Sequence, residues 1–187
     1  MHQEHFRTFA RYNRWANDRL YTACASLQEA EYLKPRKSFF GSIHATLNHI
    51  LVGDRIWLGR LTNHDPGIKA LNQILYADFA GLKVARGAED ARIVEFVDGL
   101  DEPGLNATLR YKTTTGAPQS NPVRWTLAHL FNHQTHHRGQ VHGLLSQTAV
   151  KPQAAAPSRP CGWSDAPCAA TRDRPHRCAR RRWASST

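Results

Sequence analysis

Cysteine is scarce where a fold would need it: only Cys24 lies in the first 150 residues, and the other three come after position 160. A disulfide framework is thereby excluded for the main body, and a reducing, cytoplasmic setting is the expectation. No run of 18 apolar residues occurs, and the opening MHQEHFRTFARYNRW has no apolar stretch of the kind a secretory leader carries. Neither a membrane span nor an export signal is expected. There is no Gly-rich phosphate loop, no GxSxG and no internal repeat. A phosphate cradle, a serine nucleophile elbow and a solenoid are therefore set aside.

Acidic residues are also in deficit, but unevenly so. The formal charge is +10, of which residues 151–187 supply +6, from 8 Lys/Arg against 2 Asp/Glu. The first 150 residues hold 17 against 13, a net of +4. Basicity is thus largely a property of the tail, which weakens a nucleic-acid reading of the whole chain. That tail also holds five of the ten prolines and almost no aliphatic residue beyond alanine. Such a composition cannot bury a core, so the expected division is a folded domain over 1–150 and a disordered or non-native (frameshifted) end over 151–187. Cys161, Cys168, His176 and Cys178 fit no usual zinc spacing.

What the chain has in plenty is histidine. Five of eleven fall in TLAHLFNHQTHHRGQVHGLLSQT, Thr126 to Thr148: His129, His133, His136, His137 and His142. Leu127, Leu130, Val141, Leu144 and Leu145 recur there at helical spacing, and the stretch predicts a helix of about six turns with Thr126 as N-cap. His133 and His137 then lie about 40° apart on one face, close enough to share a metal ion. They look into the apolar stripe, where neutral imidazoles lack polar partners unless a cation supplies one. On this helix alone, a pair of rings each bonded to a neighbour accounts for the spacing almost as well. His129, one turn earlier on nearly the same line, is a candidate to orient a ligand or shuttle a proton, with packing as its other reading. His136 falls on the flank and His142 points away.

Three further helices are expected: His2 to about Ser26, Ser42 (as N-cap) to Leu61, and Asp78 to about Leu100. In the second, His49 shares a face with Ala45, Val52, Ile56 and Trp57, Gly53 leaves open space one turn along, and His44 is about 140° away. Two ligands from one helix and one from another is a common way to build a three-histidine site in a bundle. Residues 101–125 read as an irregular crossover with a short hairpin. The fold class is all-α, a four-helix bundle with a long crossover before the last helix.

Three segments carry a resemblance: YNRWAN (Tyr12 to Asn17), SIHATLNHILVGDRIWLGRL (Ser42 to Leu61) and NHQTHHRGQVHGLL (Asn132 to Leu145). From about His5 to about Val150 the chain resembles the DinB/YfiT-like metalloenzymes. That resemblance implies a bundle of up-down-down-up order, often a homodimer, with a divalent metal, zinc or nickel, on His49, His133 and His137. It gives Asp54 a matching position, read here as a salt bridge to an arginine. It also implies a small-molecule substrate and chemistry of the thiol S-transfer or isomerisation kind, with a low-molecular-weight thiol as cosubstrate. Metal-dependent hydrolysis is the alternative, and a DNA-damage-related nucleic-acid-binding protein a lower one.

Overall fold

A computed structural model describes residues 3–150; the readings made for the tail lie outside the described residues. Four long helices make the bundle: α1 (Gln3–Cys24), α3 (Ile43–Leu61), α4 (Phe79–Asp98) and α6 (Val123–Leu145). Two short helices, α2 (Glu29–Leu33) and α5 (Glu102–Asn106), sit in the connections. A hairpin of β1 (Thr108–Lys112) and β2 (Pro118–Pro122) precedes α6, with Thr108 opposite Pro122 and Lys112 opposite Pro118.

Local chemistry fixes most helix starts. Ser42 Oγ accepts from the Ala45 amide at 3.0 Å, and the Asp78 carboxylate accepts from the Gly81 amide at 2.7 Å, each satisfying an orphan donor of the first turn. The last helix differs from expectation. It begins at Val123 after Pro122, which supplies no side-chain cap, and Thr126 is buried inside it. The reason lies in the preceding hairpin: β2 delivers Pro122 with its φ already helical, and the Val123 amide bonds to Ala107 O instead of to a cap.

Helix directions follow from cross-helix pairs. His49 and Trp57 of α3 meet His137 and His129 of α6 in reverse order, so these two are antiparallel. Tyr21 and Asn13 of α1 meet Phe79 and Asp90 of α4, again antiparallel. Asn48 reaches Tyr76 just before α4, while Asp54 reaches Arg86, so α3 and α4 run parallel. Phe9 meets Phe131 and Asn17 meets Arg138, so α1 and α6 are parallel as well. The order is up-down-down-up. The long connection before the last helix is present, and residues 62–78 form a second one, which must travel the length of the bundle because it joins parallel helices.

Two apolar clusters fill the bundle. One gathers Leu20, Tyr21, Ile43, Leu47, Leu51, Leu82 and Leu145, the other Phe6, Leu58, Ile93, Val97, Leu127 and Leu130. Each such side chain, fully buried, contributes about 1.5–3 kcal/mol. A polar layer runs beside these clusters. Arg86 bonds Asp54 at 2.5 Å and Asp90 at 3.0 Å, Asn17 donates to Asp90 at 2.9 Å, Gln134 donates to Asp54, and Arg138 donates to Asn13 and to Gln134. Asn13 and Asn17 come from YNRWAN, Asp54 from α3 and Arg138 from the HHRGQ segment. These motif residues are thus tied to one another across the bundle, with Arg86 and Asp90 supplying the link to α4. Burial alone would pull the Arg86 guanidinium down, but Asp90 and Asp54 together push it up, so the charge is held. This layer also explains why α4 reads as a weak amphipath: Arg86, Glu89 and Asp90 occupy its buried face.

Candidate metal centre

His49 on α3 and His133 and His137 on α6 converge, with one nitrogen from each lying within 4.8 Å of the others. His49 Nε2 is 3.2 Å from His133 Nε2 and 3.2 Å from His137 Nε2. The helical spacing of the pair brings their ring centroids to 4.3 Å, and the antiparallel crossing of α3 supplies the third ring. The open space expected at Gly53 is used by His133: a Cβ built on Gly53 would stand 2.5 Å from His133 Cε1.

The outer nitrogens decide the tautomers. His49 Nδ1 lies 2.7 Å from the carbonyl oxygen of Leu71, which can only accept, so Nδ1 carries the proton. His137 Nδ1 lies 2.8 Å from Gln140 Oε1, again an acceptor. Both Nε2 atoms therefore present lone pairs, and at 3.2 Å they face each other with no proton between them. A proton on His133 Nε2 can satisfy one of the two and not the other, and His133 Nδ1 is itself buried without a partner. Two fixed lone pairs and a third imidazole nitrogen at this spacing are a poor hydrogen-bonded cluster and a fitting set of donors for a cation. Tetrahedral zinc with Zn–N of about 2.0–2.1 Å separates its ligand nitrogens by about 3.3 Å.

The rings are kept neutral. Burial first, then the neighbouring imidazoles of His137 and His49, push His133 down to about 3. Burial lowers His49 against the opposing effect of the Leu71 carbonyl, and lowers His137 against that of Gln140. Phe40 covers the site: its ring stacks on His49 with centroids 3.9 Å apart and meets His137 edge-on at 5.5 Å. Gly41, at φ +80°, makes the turn between Phe40 and the Ser42 cap, a conformation that favours glycine.

The remaining candidates separate cleanly. His129 is exposed, its ring leaning on Trp57 at 4.8 Å and standing 6.1 Å from His133, so it borders the cluster without joining it. His44 is buried away from the cluster, its Nδ1 3.0 Å from Tyr32 Oη. His136 is exposed and meets Gln140 Nε2 at 3.1 Å, while His142 is exposed beyond the site. Asp54 pairs with Arg86, and among the described residues no carboxylate belongs to the cluster. Phe40, Leu71 and Gln140 were missed from sequence. Gln140 alone left a signal, three residues after His137 on the same helix face.

An all-α bundle with a cluster of three inward-facing histidines able to hold a metal ion defines the class of protein. The chain belongs to the DinB family, whose pattern matches residues 1–159. Protein DinB of Bacillus subtilis (strain 168) is 24% identical over 160 residues, covering 79% of this chain and 86% of that protein. Among the described residues no helix is long and apolar enough to cross a membrane.

Proposed function

We propose that this protein binds one divalent cation on His49, His133 and His137 and works as a metal-dependent enzyme of the thiol S-transfer or isomerisation kind. The observation that carries the metal is the pair of facing lone pairs on His49 Nε2 and His137 Nε2, each fixed by an acceptor behind it. Zinc or nickel suits an all-imidazole donor set. Three neutral ligands leave the cation its full charge, so it lowers the pKa of a thiol that reaches it and supplies a nucleophile at neutral pH.

The chain's own residues prepare that chemistry. Leu71 O and Gln140 Oε1 keep protons on the outer nitrogens and orient the rings. Phe40 screens His49 from water. His129, at the border, is drawn below the ordinary imidazole value first by the desolvation of its ring against the neighbouring side chains and then by Arg60. That direction favours the neutral ring, which can accept a proton from an incoming group. No carboxylate in the cluster competes for that role among the described residues. A homodimer in a cytoplasmic setting belongs to the same reading.

Elemental analysis of purified protein should find about one metal per chain, lost in His49→Ala, His133→Ala and His137→Ala and kept in His142→Ala. Full metal in the His137→Ala protein would overturn the site. Cobalt substitution followed by titration with a low-molecular-weight thiol should give a sulfur-to-metal charge-transfer band. A spectrum indifferent to thiols, together with ester or amide turnover in their absence, would replace the transferase reading with a hydrolase.

A further inference from the structure

Further along α3 from the histidine cluster lies a cleft of about 500 Å³, floored by Ile56 and Gly59 and walled by the 63–68 loop and the hairpin. Its charged lining is Arg60, Arg110 and Lys112 against the single carboxylate of Asp65. Among the described residues no ion pair involves Arg60, Arg110 or Lys112. Asp65 is turned to its own loop, where Oδ1 accepts from the Gly67 amide at 2.9 Å. Arg60 is held by two aromatic rings, with its guanidinium carbon 4.5 Å from the Trp57 centroid and 4.7 Å from that of Tyr111. These two contacts restrict the guanidinium on its carbon and leave N–H groups for a carboxylate or phosphate, which a guanidinium binds with two parallel hydrogen bonds.

A row of side-chain contacts runs from the histidine cluster to the edge of the cleft: His133 to His129, His129 to Trp57, and Trp57 to Arg60. Along α3, Gly53 faces His133 and Arg60 comes seven residues later, about 10 Å at 1.5 Å per residue. We propose that this cleft takes the anionic end of an elongated small molecule, a carboxylate or phosphate, whose other end reaches the histidine cluster about 10 Å away. Anion binding is a property of the cleft alone; its assignment to the substrate rests on the metal reading above.

Succinate and inorganic phosphate, titrated separately into the full-length protein by calorimetry, test the proposal. At least one should bind saturably, more weakly as salt is raised, and the tighter of the two identifies the oxyanion. Arg60→Gln and, independently, the exposed hairpin variant Lys112→Gln should each weaken that binding about tenfold or more, while Lys83→Gln on α4 leaves it unchanged. Absence of saturable binding by both anions, or equal affinity in wild type and both cleft variants, overturns the proposal. Metal content of the same samples reads the other site separately. A failed metal reading would show as metal-free wild type that still binds the anion.

Discussion

The imidazole of His133 occupies the space where a side chain on Gly53 would begin, with His133 Cε1 2.5 Å from the ideal Cβ position. In an exposed helix interior, Gly→Ala stabilises by about 1 kcal/mol. Here the added methyl would push a ring out of the cluster. Gly53→Ala should therefore keep its helix content while its metal affinity falls by roughly tenfold or more, the scale of a disturbed ligand set. Circular dichroism and a competition titration against a chromophoric chelator measure the two. Unchanged affinity would mean that His133 has freedom the packing does not show.

Gln140 offers a subtler test. Its Oε1 accepts from His137 Nδ1 at 2.8 Å and so fixes which nitrogen faces inward. Gln140→Leu keeps the volume and removes the acceptor. Metal affinity should drop about 10–100-fold with little change in the denaturant midpoint of the metal-free protein. Gln140→Glu, which restores an acceptor, should recover most of the loss.

Asp54 belongs to stability and not to the metal. It is fully buried against Arg86 at 2.5 Å and accepts from Gln134. Removing it takes from Arg86 one of its two buried carboxylate partners and from Gln134 its acceptor, and Asp54→Ala should cost roughly 3–5 kcal/mol. Urea unfolding gives the number. A loss well under 1 kcal/mol would show that Asp90 alone satisfies Arg86.

The metal-free protein should be acid-sensitive in a defined window. His133 sits at about 3 in the folded chain, because of burial and the neighbouring rings, against about 6.5 for a free imidazole. Between those values the unfolded chain binds a proton that the folded chain refuses. The contribution of His133 to stability is therefore complete above about pH 6.5 and is lost as pH drops toward 3, while Asp54, pushed up to about 7 by burial, contributes in the opposite sense. Urea midpoints of chelator-treated protein at pH 7, 5 and 4 should fall more steeply toward acid in wild type than in His133→Ala. The same pH trend in wild type and His133→Ala would contradict the buried neutral cluster.

Much of this protein was settled by local rules that sequence obeys on its own. Helical rise and rotation put His133 and His137 on one line wherever the helix goes, and Ser42 and Asp78 mark their helix starts because a side-chain oxygen caps the nearest amides. Apolar spacing placed His49 on a buried face, and the resemblance carried by three segments named the bundle order and the same three histidines. Other features needed the assembled molecule. His44 is as buried as His49, and only the packing of α2 sends it to Tyr32 while the crossing of α3 and α6 sends His49 to the cluster. Thr126 lost its capping role because the hairpin before it already starts the helix. Leu71 and Phe40 lie 22 and 9 residues from His49, on connections whose paths no periodicity describes. Spacing within one helix is fixed by covalent geometry and backbone hydrogen bonds, so it is legible in the sequence. Which loop carbonyl or ring meets a given side chain depends on how separate helices and their connections pack, and only the tertiary structure decides that.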